Sequence, residues 1–335
     1  MKLFNKSLLA ALVFLGAAAA AHAANYQPHI IRFGYGLAED SNQGRAAKFF
    51  ADDLAKRTGG KLRMKGFANA SLGSDIQMQN ALIGGAQEMM VGSTATLVGI
   101  VGDFGVYDLP FVFRNEKEAD TILDGPFGQA LLNKLQEKGL VGLVYWENGF
   151  RNLTNSKHPI AKMEDLQGIK LRVMQNPVYI DMFKGFGANP IPLSFSELFT
   201  ALETRTVDGQ ENPVTTIQSS KFYEVQKYLS LTKHVYSPWI VLVSKKWWEA
   251  LNADERKAVQ ESAAAARDFE RKDSRALSEK AIEFLKQKGM QVTVVSDKEI
   301  ERMQETTRQA MFKFASDGHT SLVKELQSDL EKLRK

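Results

Sequence analysis

Apolar positions along this chain repeat in two alternating rhythms. Residues 30–36 form a short apolar run that ends in glycines, as a strand leading into a turn does. Over 42–57, Ala46, Phe49, Phe50 and Leu54 fall at helical spacing, and Gly59-Gly60 stops the pattern. A strand pattern returns at 62–67, a helix at 74–83, and a third strand starts at 88–91. This alternation predicts an α/β sheet with parallel strands. Residues 108–113 are apolar but interrupted by Pro110, and helical stretches follow to Lys138. Residues 141–146 read as a strand and 149–155 as an extended segment that crosses to a second unit.

The second unit repeats the alternation, with a strand at 169–174, a helix at 177–186 and a strand at 188–192. Ser194 and Glu197 have capping-box spacing and open a helix to Thr204. A strand at 240–244 precedes a helical pattern that starts at the caps Asn252 and Glu255 and runs to about Lys288. At ~1.5 Å per residue it spans roughly 50 Å, enough to brace two units. A strand at 291–295 and two helices finish the chain. No repeat or low-complexity linker separates the units, so the chain is expected to cross between them more than once. The expected division is lobe I from 24–149 with 238–278, and lobe II from 150–237 with 279–335.

Residues 1–23 read as a secretory leader. Lys2 and Lys6 give the positive start, 8–21 is apolar, and Ala21-His22-Ala23 fits a cleavage site. The run is shorter than the ~20 apolar residues of a membrane span. The expected product is exported, free in a periplasm, and begins at Ala24.

Composition narrows the function. Of the net charge of +4, two charges belong to the leader, and Lys+Arg 43 nearly balances Asp+Glu 39. That is not the basic excess of a nucleic-acid binder. A hydrophobic share of 44% with 24% charged residues fits a globular chain with a large core. Without cysteine there is no disulfide, thiolate nucleophile or thiolate metal site. No P-loop and no G-x-S-x-G occurs, and Gly34-x-Gly36 lacks the third glycine of a dinucleotide fingerprint. His29, His158, His234 and His319 show no metal-ligand spacing. No cofactor or metal is implied. Phe49, Phe50, Trp247 and Trp248 are expected in the core rather than in a binding platform.

Two arginines carry the chemistry. Arg172 lies near the carboxyl end of the strand at 169–174, where ligands bind in open α/β sheets. A buried arginine needs a partner. It is either an internal carboxylate or a ligand carboxylate, which a planar guanidinium grips in bidentate fashion. Arg151 sits at the crossing between the units, and from position alone it reads as a solvated surface arginine.

Seven stretches together resemble the solute-binding proteins of tripartite ATP-independent periplasmic (TRAP) transporters. They are Ala70-Ser71-Leu72-Gly73, Asp108-Leu109-Pro110-Phe111, Tyr145-Trp146-Glu147-Asn148-Gly149-Phe150-Arg151, Gly168-Ile169-Lys170-Leu171-Arg172-Val173, Ser196-Glu197-Leu198, Val207-Asp208-Gly209-Gln210-Glu211-Asn212-Pro213 and Lys221-Phe222-Tyr223-Glu224-Val225-Gln226-Lys227. The resemblance covers essentially the whole chain after the leader. It implies a two-lobed α/β periplasmic binding protein fold, with hinge strands and a long domain-bridging helix, that closes on a small organic anion. It implies that Arg172 clamps the ligand carboxylate and that Arg151 is a second cationic contact. Asn212 and Gln175 would supply directional hydrogen bonds and Phe195 an apolar wall.

The stretch at 145–151, with Leu202-Glu203-Thr204-Arg205-Thr206 and His234-Val235-Tyr236-Ser237-Pro238, looks most like members that bind diketogulonate or other sugar acids. Sialate-binding members carry an acidic and a basic residue where this chain has Ser93 and Thr96. The expected site is smaller and lined with hydroxyls, near Tyr35, Asp75, Ser93, Thr94 and Tyr236. The expected function is capture of a sugar acid or hydroxy-carboxylate, as a monomer, for the membrane subunits of a sodium-driven TRAP transporter. A C4-dicarboxylate is the alternative ligand. A secreted lyase or esterase acting on such acids, or a ligand sensor, is the alternative class.

Overall fold

The computed structural model describes residues 24–335, so the expected leader lies outside the described residues. Strands β1 (His29–Gly34) and β2 (Leu62–Phe67) pair in parallel, with His29 opposite Leu62 and Gly34 opposite Phe67. Helix α1 (Asn42–Arg57) makes the crossover. The Ser41 hydroxyl accepts the Gly44 amide at its start, and Phe50 and Leu54 bury one face. Helix α2 (Asp75–Gly84) opens with a capping box between Ser74 and Gln77 and leads to β3 (Met89–Ser93), which joins β1 in parallel. Two 3-10 segments and helices α3 (Glu116–Asp124) and α4 (Pro126–Lys134) cover the far face.

The chain then enters β4 (Leu140–Asn155), one strand of 16 residues. Beyond it come β5 (Lys170–Val173), α5 (Pro177–Gly185), β6 (Asn189–Pro192), α6 (Phe195–Glu203), β7 (Gly209–Pro213), α7 (Val214–Ser219) and β8 (Tyr228–Leu231). The return is β9 (Tyr236–Ser244), α8 (Lys245–Ala250) and α9 (Ala253–Gln287), then β10 (Gln291–Val294), α10 (Asp297–Phe314) and α11 (Thr320–Leu333). The strand order is β2-β1-β3-β9-β4-β7-β5-β6, with β8 on β4 and β10 on β8.

Strand β4 belongs to both lobes. From Leu140 to Phe150 it pairs with β9, and from Arg151 to Asn155 it pairs with β7. Register shifts at Gly142/Val144 and Glu147/Gly149 bend it, and Gly149 takes a φ of +112° that a side chain rarely adopts. The expected crossing segment is therefore the second half of one hinge strand. The expectation of parallel strands holds inside each lobe but not where the lobes join. β9 is antiparallel to β3 and β4, and β4 is antiparallel to β7 and β8. A strand returning from the other lobe needs no crossover helix and enters from the opposite end.

Helix α9 forms as expected, with the Asn252–Glu255 capping box in place. Ala258, Ala263 and Ala266 let it lie close on Phe50 and Leu54 of lobe I, while Ala281 and Leu285 enter the lobe II core. Arg275 reaches Glu147 at 2.6 Å and Asp120 at 2.9 Å, and Glu270 accepts the Glu147 amide at 2.7 Å. The helix thus grips the hinge strand just before it changes lobes. The second capping box, at Ser194, does not form. Its hydroxyl donates to the Glu197 carboxylate instead of accepting an amide. Among the expected core aromatics, Phe50 is fully buried and Phe49 stacks on Phe269 at 4.6 Å. No helix of the described residues is long and apolar enough to cross a membrane.

The C-terminus departs from the expected division, which assigned all of 279–335 to lobe II. Helix α10 packs on α5 of that lobe, but Gly318 at φ +100° turns the chain and α11 returns to α3 of lobe I. Val323, Leu326 and Leu330 repeat at helical spacing and bury one face among Phe104, Tyr107 and Ile122. Leu326→Ala should therefore destabilise the protein by about 2–5 kcal/mol in guanidinium denaturation. A loss near zero would show that α11 is not part of the lobe I core.

Candidate ligand-binding site

A narrow cavity separates the lobes. Lobe I lines it with Gly36, Leu37, Gln43, Asp75, Gly92, Ser93, Asn148 and Trp239, and lobe II with Arg151, Met174, Phe195, Asn212 and Thr216. Its volume is about 40 Å³. That is room for roughly three waters, so a six-carbon acid enters only if the lobes move apart.

Arg151 is the first residue of β4 on its lobe II partner, and it is fully buried. Its Nε donates to Glu211 Oε2 at 2.5 Å and its Nη2 to Glu211 Oε1 at 2.8 Å. Nη2 also donates to the Glu211 carbonyl at 2.6 Å and to Asn212 Oδ1 at 3.1 Å. The guanidinium lies 5.5 Å over the Tyr179 ring, and Nη1 has no partner. His234 Nε2 adds a third contact to Glu211 at 3.1 Å. Burial would raise the Glu211 carboxyl, but Arg151 and His234 outweigh it and hold the carboxyl below its ordinary value. Burial lowers the His234 pKa, against the opposing pull of Glu211. The solvated arginine expected from position alone is thus a buried ion pair, because β4 and β7 place Arg151 and Glu211 on adjacent strands.

Arg172 is the opposite case. It sits on β5 with 1% of its surface exposed, and its Nε donates to the Leu193 carbonyl at 2.8 Å. Nη1 has no partner, and among the described residues no carboxylate lies within ion-pair distance. Burial and the like charge of Arg151 press its pKa down to about 10, against the attraction of Glu211 and Asp75. The internal salt bridge considered for Arg172 therefore belongs to Arg151, and Arg172 keeps an uncompensated charge.

Asp75 begins α2 and its Oδ2 accepts the Ser93 amide at 2.9 Å. Burial pushes its carboxyl up to about 6, opposed by that amide and by Arg172. Asp108, buried behind the site, is pushed by burial to about 8 and accepts Asn176 Nδ2 at 2.7 Å. Asn212 is held by Arg151 and by Gln210, and Phe195 starts α6 and walls the cavity.

The cavity brings together Asp75, Ser93, Arg151, Phe195 and Asn212 of the expected set. Five others do not line it, and one of them is Arg172, which lies behind the wall on β5 with its Nε on the Leu193 carbonyl. Thr94 turns its hydroxyl to the Pro238 carbonyl, and Tyr35 is buried against Gly66 in the lobe I core. Tyr236 packs between Phe113 and Phe150 and donates to Glu147. Gln175 lines a neighbouring cavity with Gln79, Asn80 and Asn176, while Met174 takes the wall position. Gln43, Asn148, Thr216 and Trp239 were not anticipated. Asn148 accepts Thr216 Oγ1 at 3.1 Å, and Asn148 lies in the quoted stretch before Arg151, so its neighbours carried a signal.

Two α/β lobes on shared hinge strands, closing over a polar cavity with one unmatched cation behind it, define a two-lobed solute-binding protein. The chain belongs to the bacterial extracellular solute-binding protein family 7, whose family model matches residues 33–317. This is a periplasmic family of binding proteins that works with TRAP membrane components. The chain is 39% identical over 286 residues to the 2,3-diketo-L-gulonate-binding periplasmic protein YiaO of Escherichia coli (strain K12), covering 85% of this chain and 87% of that one. It is 50% identical to the sugar acid binding protein DctPAm from Advenella mimigardefordensis strain DPN7T, solved in complex with galactonate. That superposition has a TM-score of 0.90 and covers 92% of this chain and 99% of the other. A TRAP periplasmic solute binding protein from Polaromonas sp. JS666 bound to D-erythronate is 39% identical, with a TM-score of 0.86 and coverage of 89% and 98%.

The two arginines predict opposite stability effects. Glu211→Gln leaves Arg151 buried without its counter-charge and should cost about 3–5 kcal/mol. Arg172→Met removes an unmatched buried charge, so the ligand-free variant should melt at the wild-type temperature or higher. Calorimetric melting of both variants checks this, and a large loss in Arg172→Met would contradict the assignment of the unmatched charge.

Proposed function

We propose that this protein captures a sugar acid, a monocarboxylate carrying several hydroxyls, and delivers it unchanged to a sodium-driven TRAP transporter in the membrane. The observation that carries the reading is Arg172, a buried guanidinium with no carboxylate partner among the described residues. A ligand carboxylate supplies the missing charge through two parallel hydrogen bonds. Asp75, Ser93, Asn148, Asn212 and Thr216 offer partners for hydroxyls, and Phe195 and Trp239 cover the carbon skeleton. Arg151 contributes its unpartnered Nη1 as a donor rather than a free charge. A C4-dicarboxylate would need a second free cation, and Glu211 already holds Arg151. Galactonate and D-erythronate, held by the two structural relatives, are both hydroxylated monocarboxylates.

The protein works as a monomer whose lobes open to admit the acid and close around it, since a ligand that favours the closed form shifts the population toward it. Closure removes water and strengthens every polar contact inside. The leader directs export and is cleaved after Ala23, so N-terminal sequencing of the exported protein should read Ala24 first, and an intact leader would oppose this.

Calorimetric titration with galactonate, gluconate, erythronate and succinate tests the reading. Hydroxylated monocarboxylates should bind more tightly than succinate and be recovered unchanged. Scattering should show a monomer whose radius of gyration shrinks on binding. Arg172→Lys keeps the charge but loses the fork. A hydrogen bond to a charged group contributes ~1.5–3 kcal/mol, so affinity should fall by roughly ten- to more than a hundredfold. Wild-type affinity in that variant would remove Arg172 as the clamp.

A further inference from the structure

We infer that Asp75 restricts this site to acids with a single carboxylate, accepting hydroxyls at the lobe I wall and repelling a second negative charge there. The inference rests on the sugar-acid reading above and adds the residue that makes the selection.

Three observations carry it. Glu211 forks Arg151, so Arg172 is left as the one uncompensated cation beside the cavity among the described residues. One ligand carboxylate satisfies it. Gln43, Ser93, Asn148, Asn212 and Thr216 are all neutral and cannot balance a second. Asp75 is also held in place. Its Oδ2 accepts the Ser93 amide, and its carboxyl packs on Gly92, where a Cβ would stand 2.9 Å from Asp75 Cγ. A fixed carboxylate cannot swing away from an incoming anion. Lastly, Asp75 lines the cavity from lobe I, whereas Arg172 sits on β5 of lobe II and no ion pair joins the two. A ligand whose carboxylate is held by lobe II therefore has Asp75 on the opposite wall. Hydroxyls there donate to a charged acceptor, which is a strong hydrogen bond, whereas a carboxylate meets like charge in a poorly solvated space.

The charged groups near Asp75 are Arg172 on β5 and Arg151, which lines the same cavity and is paired to Glu211, and the Ser93 amide donates to Asp75. Burial raises the Asp75 carboxyl to about 6. Lowering the pH through that value neutralises Asp75, and the rejection of a second carboxylate should weaken.

Galactonate and galactarate form the test pair, since they share a six-carbon chain and the hydroxyls at carbons 2 to 5. They differ at carbon 6, a hydroxyl in one and a carboxylate in the other. Wild type should bind galactonate at least tenfold more tightly at pH 8, with the gap narrowing as the pH falls to 5. Asp75→Asn keeps an acceptor for the Ser93 amide and should close the gap at pH 8 by tenfold or more. The pH series on wild type gives a readout that does not depend on the variant's folding. An unchanged gap in both experiments, or a wild-type preference for galactarate, overturns the role of Asp75 alone. Failure of wild type to bind either probe overturns the sugar-acid reading and this inference with it.

Discussion

The buried pair between Arg151 and Glu211 is the constraint on which the site depends. It lies where β4 leaves its lobe I partner and takes up β7, so it pins the hinge strand to lobe II at the point of exchange. It orients Asn212 through Arg151 Nη2 and engages His234 from the segment just before β9. Two charges are removed from solvent here, and desolvation of that kind is offset only by good geometry and further hydrogen bonds. The fork, the Glu211 carbonyl, Asn212 and the Tyr179 ring meet that requirement. The consequence is electrostatic as well as structural. One of the two arginines is spent inside the protein, and in the proposed reading the charge offered to a ligand is that of Arg172 alone.

The motion that capture requires is confined by the same elements. Helix α9 is rooted in both lobes, and Arg275 and Glu270 hold β4 at Glu147, before the bulge at Gly149. The lobe I half of β4 is therefore tied to the helix, and its lobe II half to Glu211. Between these anchors lie Asn148, Gly149 and Phe150. Gly149 is the residue with freedom at positive φ, so this short stretch is where the strand can flex. Asn148 lines the cavity from within it and accepts a hydrogen bond from Thr216 of lobe II, which couples hinge angle to cavity shape. The return of α11 to lobe I adds another crossing and limits how far the lobes can separate.

Much of this was legible in the sequence, for physical reasons that also mark its limits. Helix α1 and strand β2 matched their expected bounds because apolar periodicity and glycine stops are local signals. Strands β7 and β8 went unread. Gln210, Glu211 and Asn212 are polar residues whose burial depends on partners distant in sequence, and no alternation announces them. The direction of β9 was unreadable for a similar reason, since pairing sense is a property of the assembled sheet. In the site, a resemblance of motifs pointed to Arg172, Arg151, Asn212 and Phe195. Position alone could not assign the ion pair, because Arg151 and Glu211 are 60 residues apart and meet only through the β4–β7 register. Tyr35 and Thr94 each adjoin a lining residue, Gly36 and Ser93, and Tyr236 lies three positions before Trp239 on β9, yet all three turn away from the cavity.

Arg172 shows why such a site is held by the fold rather than by itself. A buried guanidinium without a counter-charge opposes folding, and nothing in the protein's own stability favours keeping it. The surrounding core supplies the margin: Tyr179, Met182 and Phe183 pack α5 against β5, and the Leu193 carbonyl fixes Nε. That arrangement holds the fork in a dry setting before any acid arrives, so little ordering remains to be done at binding. The same setting makes the unmatched charge more attractive to an anion than an exposed arginine would be. In the proposed reading, that destabilisation is recovered on capture. This links affinity to closure, since the carboxylate is fully exchanged for water only when lobe I covers it.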